Sequence, residues 1–119
     1  VYGKIKKRSN FHYLGDKNYS DYPYYVKSFD FCIIPYLTND CSHGGDSIKA
    51  YEYLTTGKKT IGTIGNGLET LGSFLYLCSS YKNFSKEISN TTNNKKIFND
   101  KEFSWKNKGE KMIELFNSL

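Results

Sequence analysis

The chain contains no Cys-x-x-Cys pair, no long apolar run, no secretory leader pattern and no internal repeat. Its three cysteines, Cys32, Cys41 and Cys78, have no framework spacing, which argues against a disulfide scaffold and for a reducing compartment. His12 and His43 are too isolated to build a zinc site. No stretch approaches the roughly 18 apolar residues that a membrane span requires. The expected setting is cytoplasmic and soluble, with peripheral contact at the inner face of a membrane left open. Basic residues are scattered apart from Lys4, Lys6, Lys7 and Arg8, and no arginine stripe interleaves with aromatics, so no nucleic-acid partner is expected.

Hydrophobic residues make up only 38% of the 119, yet 17% are aromatic, with 11 Tyr and 8 Phe. Tyrosine and phenylalanine build a core from few residues, provided that each buried hydroxyl finds a partner. One domain with a modest, aromatic-rich core is therefore the expectation. The net charge of +5, from 17 Lys and Arg against 12 Asp and Glu, suits an anionic ligand.

Along the chain, Phe11 to Leu14 alternates and ends at Gly15, which predicts a short strand. A helix is predicted from about Ser20 to Ser28, with Pro23 in its first turn, where a missing N–H costs little. Its Tyr22, Tyr25, Val26 and Phe29 should pack on a sheet. Phe31 to Pro35 is apolar on both faces, as in an inner parallel strand. A polar loop, Tyr36 to Asp46, leads to a helix from Ser47, capped by Asp46 or Ser47. Ile48, Tyr51 and Leu54 or Thr55 are expected to turn inward, with Lys49, Glu52 and Thr56 on another face. Gly57 is a natural C-terminal stop.

Thr60 to Ile64 reads as a further strand, and Gly62, Gly65 and Gly67 mark close backbone approach around it. A turn of helix at Leu68 to Leu71, a strand at Phe74 to Leu77 and a helix over Tyr81 to Ser89 capped by Ser79 or Ser80 follow. Asn90 to Asn94 is turn-rich and reads as a linker. The last element is an amphipathic helix from Ser104 with Trp105, Met112, Ile113 and Phe116 as its apolar stripe. Residues 1–103 are expected to form the body of the domain, and 104–119 a helix packed on it. Alternation of strands and helices gives the fold class: α/β, a Rossmann-like parallel sheet flanked by helices, incomplete at its N-terminus.

The functional centre of the sequence is the unit Phe31 to Ile64: strand, glycine-bearing loop, helix, strand. Such a unit aims the helix N-terminus and its free N–H groups at an anion. Gly44, Gly45 and Ser47 stand at that end, and Thr63 lies at a strand's C-terminal end, where open α/β sheets bind ligands. Plainer readings stand beside these. The glycines are also simple turn residues, Tyr51 is also core, and Lys49 with Glu52 is also a surface pair worth roughly 0.2–0.5 kcal/mol. Tyr53, like Tyr51, is a candidate to stack on a base, and His43 to reach a phosphate.

These residues resemble a known family. HYLG at 12–15, YSDYPYYVKSFDFCIIPY at 19–36 and SIKAYEYLTTGKK at 47–59 are similar to the C-terminal half of two-domain GT-B glycosyltransferases of bacterial polysaccharide and teichuronic-acid assembly. SFLYLCSSYKNFSKEI at 73–88 and SW at 104–105 fit the same pattern. The resemblance implies a domain that holds a nucleotide-sugar donor, such as a UDP- or GDP-sugar, against a separate acceptor-binding domain. It implies that the helix from Ser47 faces the donor phosphates, that Glu52 bonds the ribose, and that Lys49 contacts the donor or pairs with Glu52. No cofactor and no metal are implied, and no Asp-x-Asp is present. Three departures stand out: Ser47 replaces a proline, Lys59 replaces the proline of a Gly-Lys-Pro, and Gly44 replaces an acidic residue. The N-terminal acceptor domain is missing from this sequence, so catalysis by the chain alone is not expected. The alternative is a non-catalytic nucleotide- or sugar-binding module or truncated remnant.

Overall fold

The computed structural model of the chain describes residues 8–37, 45–90 and 96–118. Their elements are α1 (Tyr22–Ser28), β1 (Phe31–Ile34), α2 (Ile48–Thr55), β2 (Lys59–Thr63), a 3-10 turn (Leu68–Leu71), β3 (Tyr76–Cys78), α3 (Tyr81–Ser89) and α4 (Trp105–Asn117). The three strands form one parallel sheet in the order β1-β2-β3, with Ile33 opposite Ile61 and Thr63 opposite Cys78. The fold is thus α/β, a small open parallel sheet flanked by helices. No helix among the described residues is long and apolar enough to cross a membrane.

The sheet divides two clusters. Ile34, Ala50, Leu54, Leu68, Leu71 and Leu75 join α2 and the 3-10 turn to the sheet, and Ile61, Cys78 and Phe84 join α3 to it. Successive residues of a strand point to opposite faces, so Ile61 serves one cluster while Gly62 lies against the other. A Cβ at Gly62 would meet the Leu68 Cδ1 at 2.8 Å, so a larger residue there would force that buried side chain to shift.

Several expected elements stand. Pro23 occupies the first turn of α1. Ser80 caps α3 by accepting from the Asn83 N–H at 3.2 Å, and Phe84 points inward. Gly57, with φ +69°, closes α2 and donates its N–H to the Leu54 carbonyl at 3.0 Å.

Others are corrected. Residues 11–14 form no strand; Tyr13 and Leu14 are exposed, so this stretch has no apolar face to bury. β1 is an edge of the described sheet rather than an inner strand, and Phe31 and Ile33 are partly open while Cys32 and Ile34 are buried. A continuous apolar run does not reveal on which side a strand is paired. The last strand begins at Tyr76 because the Phe74 and Leu75 N–H groups still bond back to the Leu71 carbonyl, extending the preceding turn. The inward face of α2 is Ala50 and Leu54, not Ile48, which is exposed. α4 starts at Trp105 as expected, but its stripe does not face the body: Trp105, Met112, Ile113 and Phe116 are all exposed.

Burial pushes the Cys32 thiol from its ordinary 9.0 up to about 11, although nearby Lys58 pulls the other way. Between those values the folded chain holds a proton that the unfolded chain has lost. The stability from keeping Cys32 neutral is therefore complete below pH 9 and is lost as pH rises through about 11. Mass-mapped alkylation at pH 8 should leave the Cys32 peptide unmodified in the folded protein and modify it rapidly in urea. Equal labelling in both states would show Cys32 to be open.

Candidate functional site

The C-terminal edge of the sheet is organised by Tyr36, two residues past β1. Its carbonyl accepts from Thr63 Oγ1 at 2.8 Å, and its hydroxyl shares a hydrogen bond with Ser47 Oγ at 3.2 Å. One residue thereby ties the end of β1, the end of β2 and the start of α2. Thr63 is fully buried and Ser47 nearly so, so both hydroxyls serve this tie.

A second tie links the loops. Gly67, in the left-handed region at φ +76°, lies so close to Gly45 that a Cβ would overlap the Gly45 carbonyl oxygen. Gly45 also faces the Asn66 side chain. The close approach expected of this glycine loop is therefore met by protein backbone from the loop before α2.

The N-terminus of α2 is arranged differently from the expectation. Ser47 occupies the cap position, but neither it nor Asp46 caps the helix with its side chain. Ser47 turns to Tyr36, and Asp46 Oδ2 accepts from the Tyr51 hydroxyl at 3.2 Å. An exposed carboxylate thus stands at the end where the helix dipole favours negative charge. Lys49, also exposed, makes no ion pair with Glu52 among the described residues. Gly44 and His43 lie outside the described residues, as do Cys41 and the basic Lys4, Lys6 and Lys7.

Glu52, one turn inside α2, is half-buried and lines an open hollow of about 220 Å³ between α1 and α2. Its Oε1 accepts from the Tyr19 hydroxyl at 3.2 Å. Tyr19 and Tyr22 form an aromatic wall, their rings 6.4 Å apart and within 4° of parallel, while Val26 and Thr56 add to the lining. The Tyr22 phenol is pushed well above its ordinary range, first by burial, then by its hydrogen bond with Tyr53 and the charge of Glu52. It stays neutral and keeps its proton beside the carboxylate.

Of the residues singled out in the sequence, the structure brings Gly45 and Ser47 together at the loop junction and sets Glu52 in a hollow. Thr63 stands behind them as a structural tie. The roles of Tyr19, Tyr22 and Tyr36 were not visible in the sequence. Each is one tyrosine among 11, and only the pairing of distant segments separates a wall or a tie from a surface ring.

The hollow offers a carboxylate acceptor beside aromatic faces. That set suits a ligand with adjacent hydroxyl donors and a flat ring, and it holds no positive group among its lining residues to attract an anion directly. Compared with known proteins, the chain matches no protein family, no curated protein and no solved structure.

Proposed function

We propose that this domain binds the nucleoside end of a nucleotide-sugar donor, as the donor-binding half of a GT-B-type glycosyltransferase acting on a cell-surface polysaccharide or glycan. The observation that carries the reading is the placement of Glu52. Glu52 lines an open hollow, and the tyrosines beside it offer flat apolar surface. A ribose presents two adjacent hydroxyls to a carboxylate, and its base covers an aromatic wall.

Size agrees with a partial ligand. Sites that enclose a whole small molecule run to roughly 300–1,000 Å³, and this hollow measures about 220 Å³. The nucleoside fits there, while the diphosphate and sugar extend toward the N-terminus of α2. Lys49, exposed near that end of α2, would meet the diphosphate there. Developing charge on the leaving diphosphate would meet the helix dipole. The exposed Asp46 opposes it, so Lys49 has a definite part: offsetting that charge. Transfer requires an acceptor-binding partner domain, and the chain alone is expected to bind the donor without consuming it.

Calorimetric titration with UDP and with GDP tests this. One of the two should bind, and Glu52→Gln should weaken that binding about ten- to a hundredfold, the range for losing hydrogen bonds to a charged acceptor. Identical affinities for wild type and Glu52→Gln would refute the ribose contact. Binding that collapses steeply with salt and extends equally to heparin would instead mark a general polyanion surface.

A further inference from the structure

We infer that the chain carries a second ligand site, a groove that takes a neutral saccharide, on the side of α2 where Asp46 and Tyr51 meet the start of α4. The groove has a volume of about 310 Å³ and runs past Tyr51, Phe103 and Trp105, with Asp46, Asp100 and Lys108 among its lining. The inference does not rest on the donor reading, whose hollow opens between α1 and α2 and shares Thr55 with this groove.

Its wall is built rather than incidental. Phe98 and Phe103 stack at 5.1 Å, Phe74 packs edge-on to both at 5.2 and 5.6 Å, and Tyr51 lies against Phe103 at 5.8 Å. The segment carrying Phe98 is pinned nearby, because Lys96 Nζ donates to the carbonyls of Gly72 and Leu75 at 3.1 and 2.8 Å. Against this fixed wall Trp105 leaves 87% of its surface open. An exposed indole beside a rigid aromatic cluster offers a flat surface that water covers poorly.

The charges select among ligands. Two carboxylates, Asp46 and Asp100, disfavour an anion. A cation is disfavoured because Lys108 already holds the cationic place, 5.5 Å from the Tyr51 ring centre and 5.6 Å from that of Trp105. A wholly apolar ligand would strip water from all three charged groups without replacing their hydrogen bonds. A neutral sugar meets each demand. Its C–H faces cover aromatic rings, and its hydroxyls donate to the carboxylates and accept from the ammonium.

Trp105 is the chain's only tryptophan, so its emission reports on the groove directly. The test titrates the protein with maltohexaose, cellohexaose and N-acetylchitohexaose. At least one should shift Trp105 emission saturably, and the shift should persist in a saturating concentration of whichever of UDP and GDP binds the other hollow. Calorimetry with the same sugar should show that Trp105→Ala weakens binding by about tenfold or more, as expected for the loss of an aromatic anchor. Asp100→Asn, an exposed change that leaves the wall intact, should weaken it by a smaller factor. No response to any of the three sugars overturns the site, as does unchanged affinity in Trp105→Ala. Displacement by that nucleotide would also overturn it, by merging it with the other hollow. Emission that changes with protein concentration alone would assign the surface to a second copy of the chain. These readouts do not depend on Glu52, so either reading can fail without the other.

Discussion

Replacing Gly67 with alanine should cost the domain about 2–5 kcal/mol, from left-handed backbone strain and overpacking together. The added methyl would overlap the Gly45 carbonyl oxygen, and backbone cannot rotate away as a side chain can. Relief requires the loop before α2 and the loop after β2 to separate. Gly57 provides the control, since it has nearly the same φ, +69°, yet a Cβ there meets nothing within 4 Å. Gly57→Ala should therefore cost only the conformational part, about 1 kcal/mol. Urea denaturation of both variants separates contact from strain. If the two lose equal stability, the loops do not touch in solution. The same displacement would carry Gly45 and Ser47 away from their positions, so Gly67→Ala should also abolish binding of whichever of UDP and GDP the wild type binds, at temperatures where it remains folded.

That contact shows what could be read from the sequence and what could not. Gly62, Gly65 and Gly67 stood out because glycine clustered at a strand end signals close approach. Nothing in a linear sequence says whether the approaching atom belongs to a ligand or to Gly45. The same division runs through the fold. Local rules placed Pro23 in α1, Ser80 at the cap of α3 and Gly57 at the end of α2, because each depends on a few adjacent residues. Features that depend on a neighbour went astray. Phe11 to Leu14 alternates like a strand but joins no ladder among the described residues, and Phe31 to Ile34 is apolar throughout yet borders the described sheet. On α2 Leu54 and Tyr51 turn inward as expected, but Ala50 is buried beside them while Ile48 stays outside. A small residue carries little weight in a pattern of hydrophobicity, although it fixes how near a helix approaches.

The site was legible to the same degree. Glu52 was picked out on a helix one turn past a glycine loop, and it does line a hollow. The expected helix cap failed because Ser47 has a better partner in Tyr36, eleven positions away. Thr63 was chosen for its position at the sheet edge, yet its hydroxyl is committed to the Tyr36 carbonyl. Position along a strand tells which edge a residue occupies, not whether its side chain opens to a ligand.

Lys59→Met should be the second severe change, at about 3–5 kcal/mol, the range for breaking a buried ion pair. Lys59 opens β2 with its side chain only 5% exposed. Its Nζ pairs with Glu87 Oε1 at 2.7 Å, donates to the carbonyls of Glu87 and Asn90 at 3.3 and 2.9 Å, and stands 4.8 Å from the Tyr76 ring centre. The ammonium thus finds acceptors for its protons and a cationic place at the C-terminal end of α3, where the helix dipole favours it. Methionine keeps the apolar stem and loses every polar contact, so the cost is electrostatic rather than a cavity. Glu87→Gln keeps an acceptor and both carbonyl bonds, and should cost less, about 1–2 kcal/mol. The exposed pair Lys106 and Glu110, 4.0 Å apart, gives the baseline: Lys106→Ala should change stability by less than about 0.5 kcal/mol. Salt should weaken that outer pair and leave the inner one nearly untouched. Because Lys59 lies at the N-terminal edge of β2 and the hollow opens beside α2, Lys59→Met should lower Tm without changing the affinity of the folded protein for whichever of UDP and GDP binds. A Lys59→Met variant as stable as wild type would mean that this ammonium is hydrated in solution and that α3 is held to the sheet by Phe84 and its apolar neighbours alone.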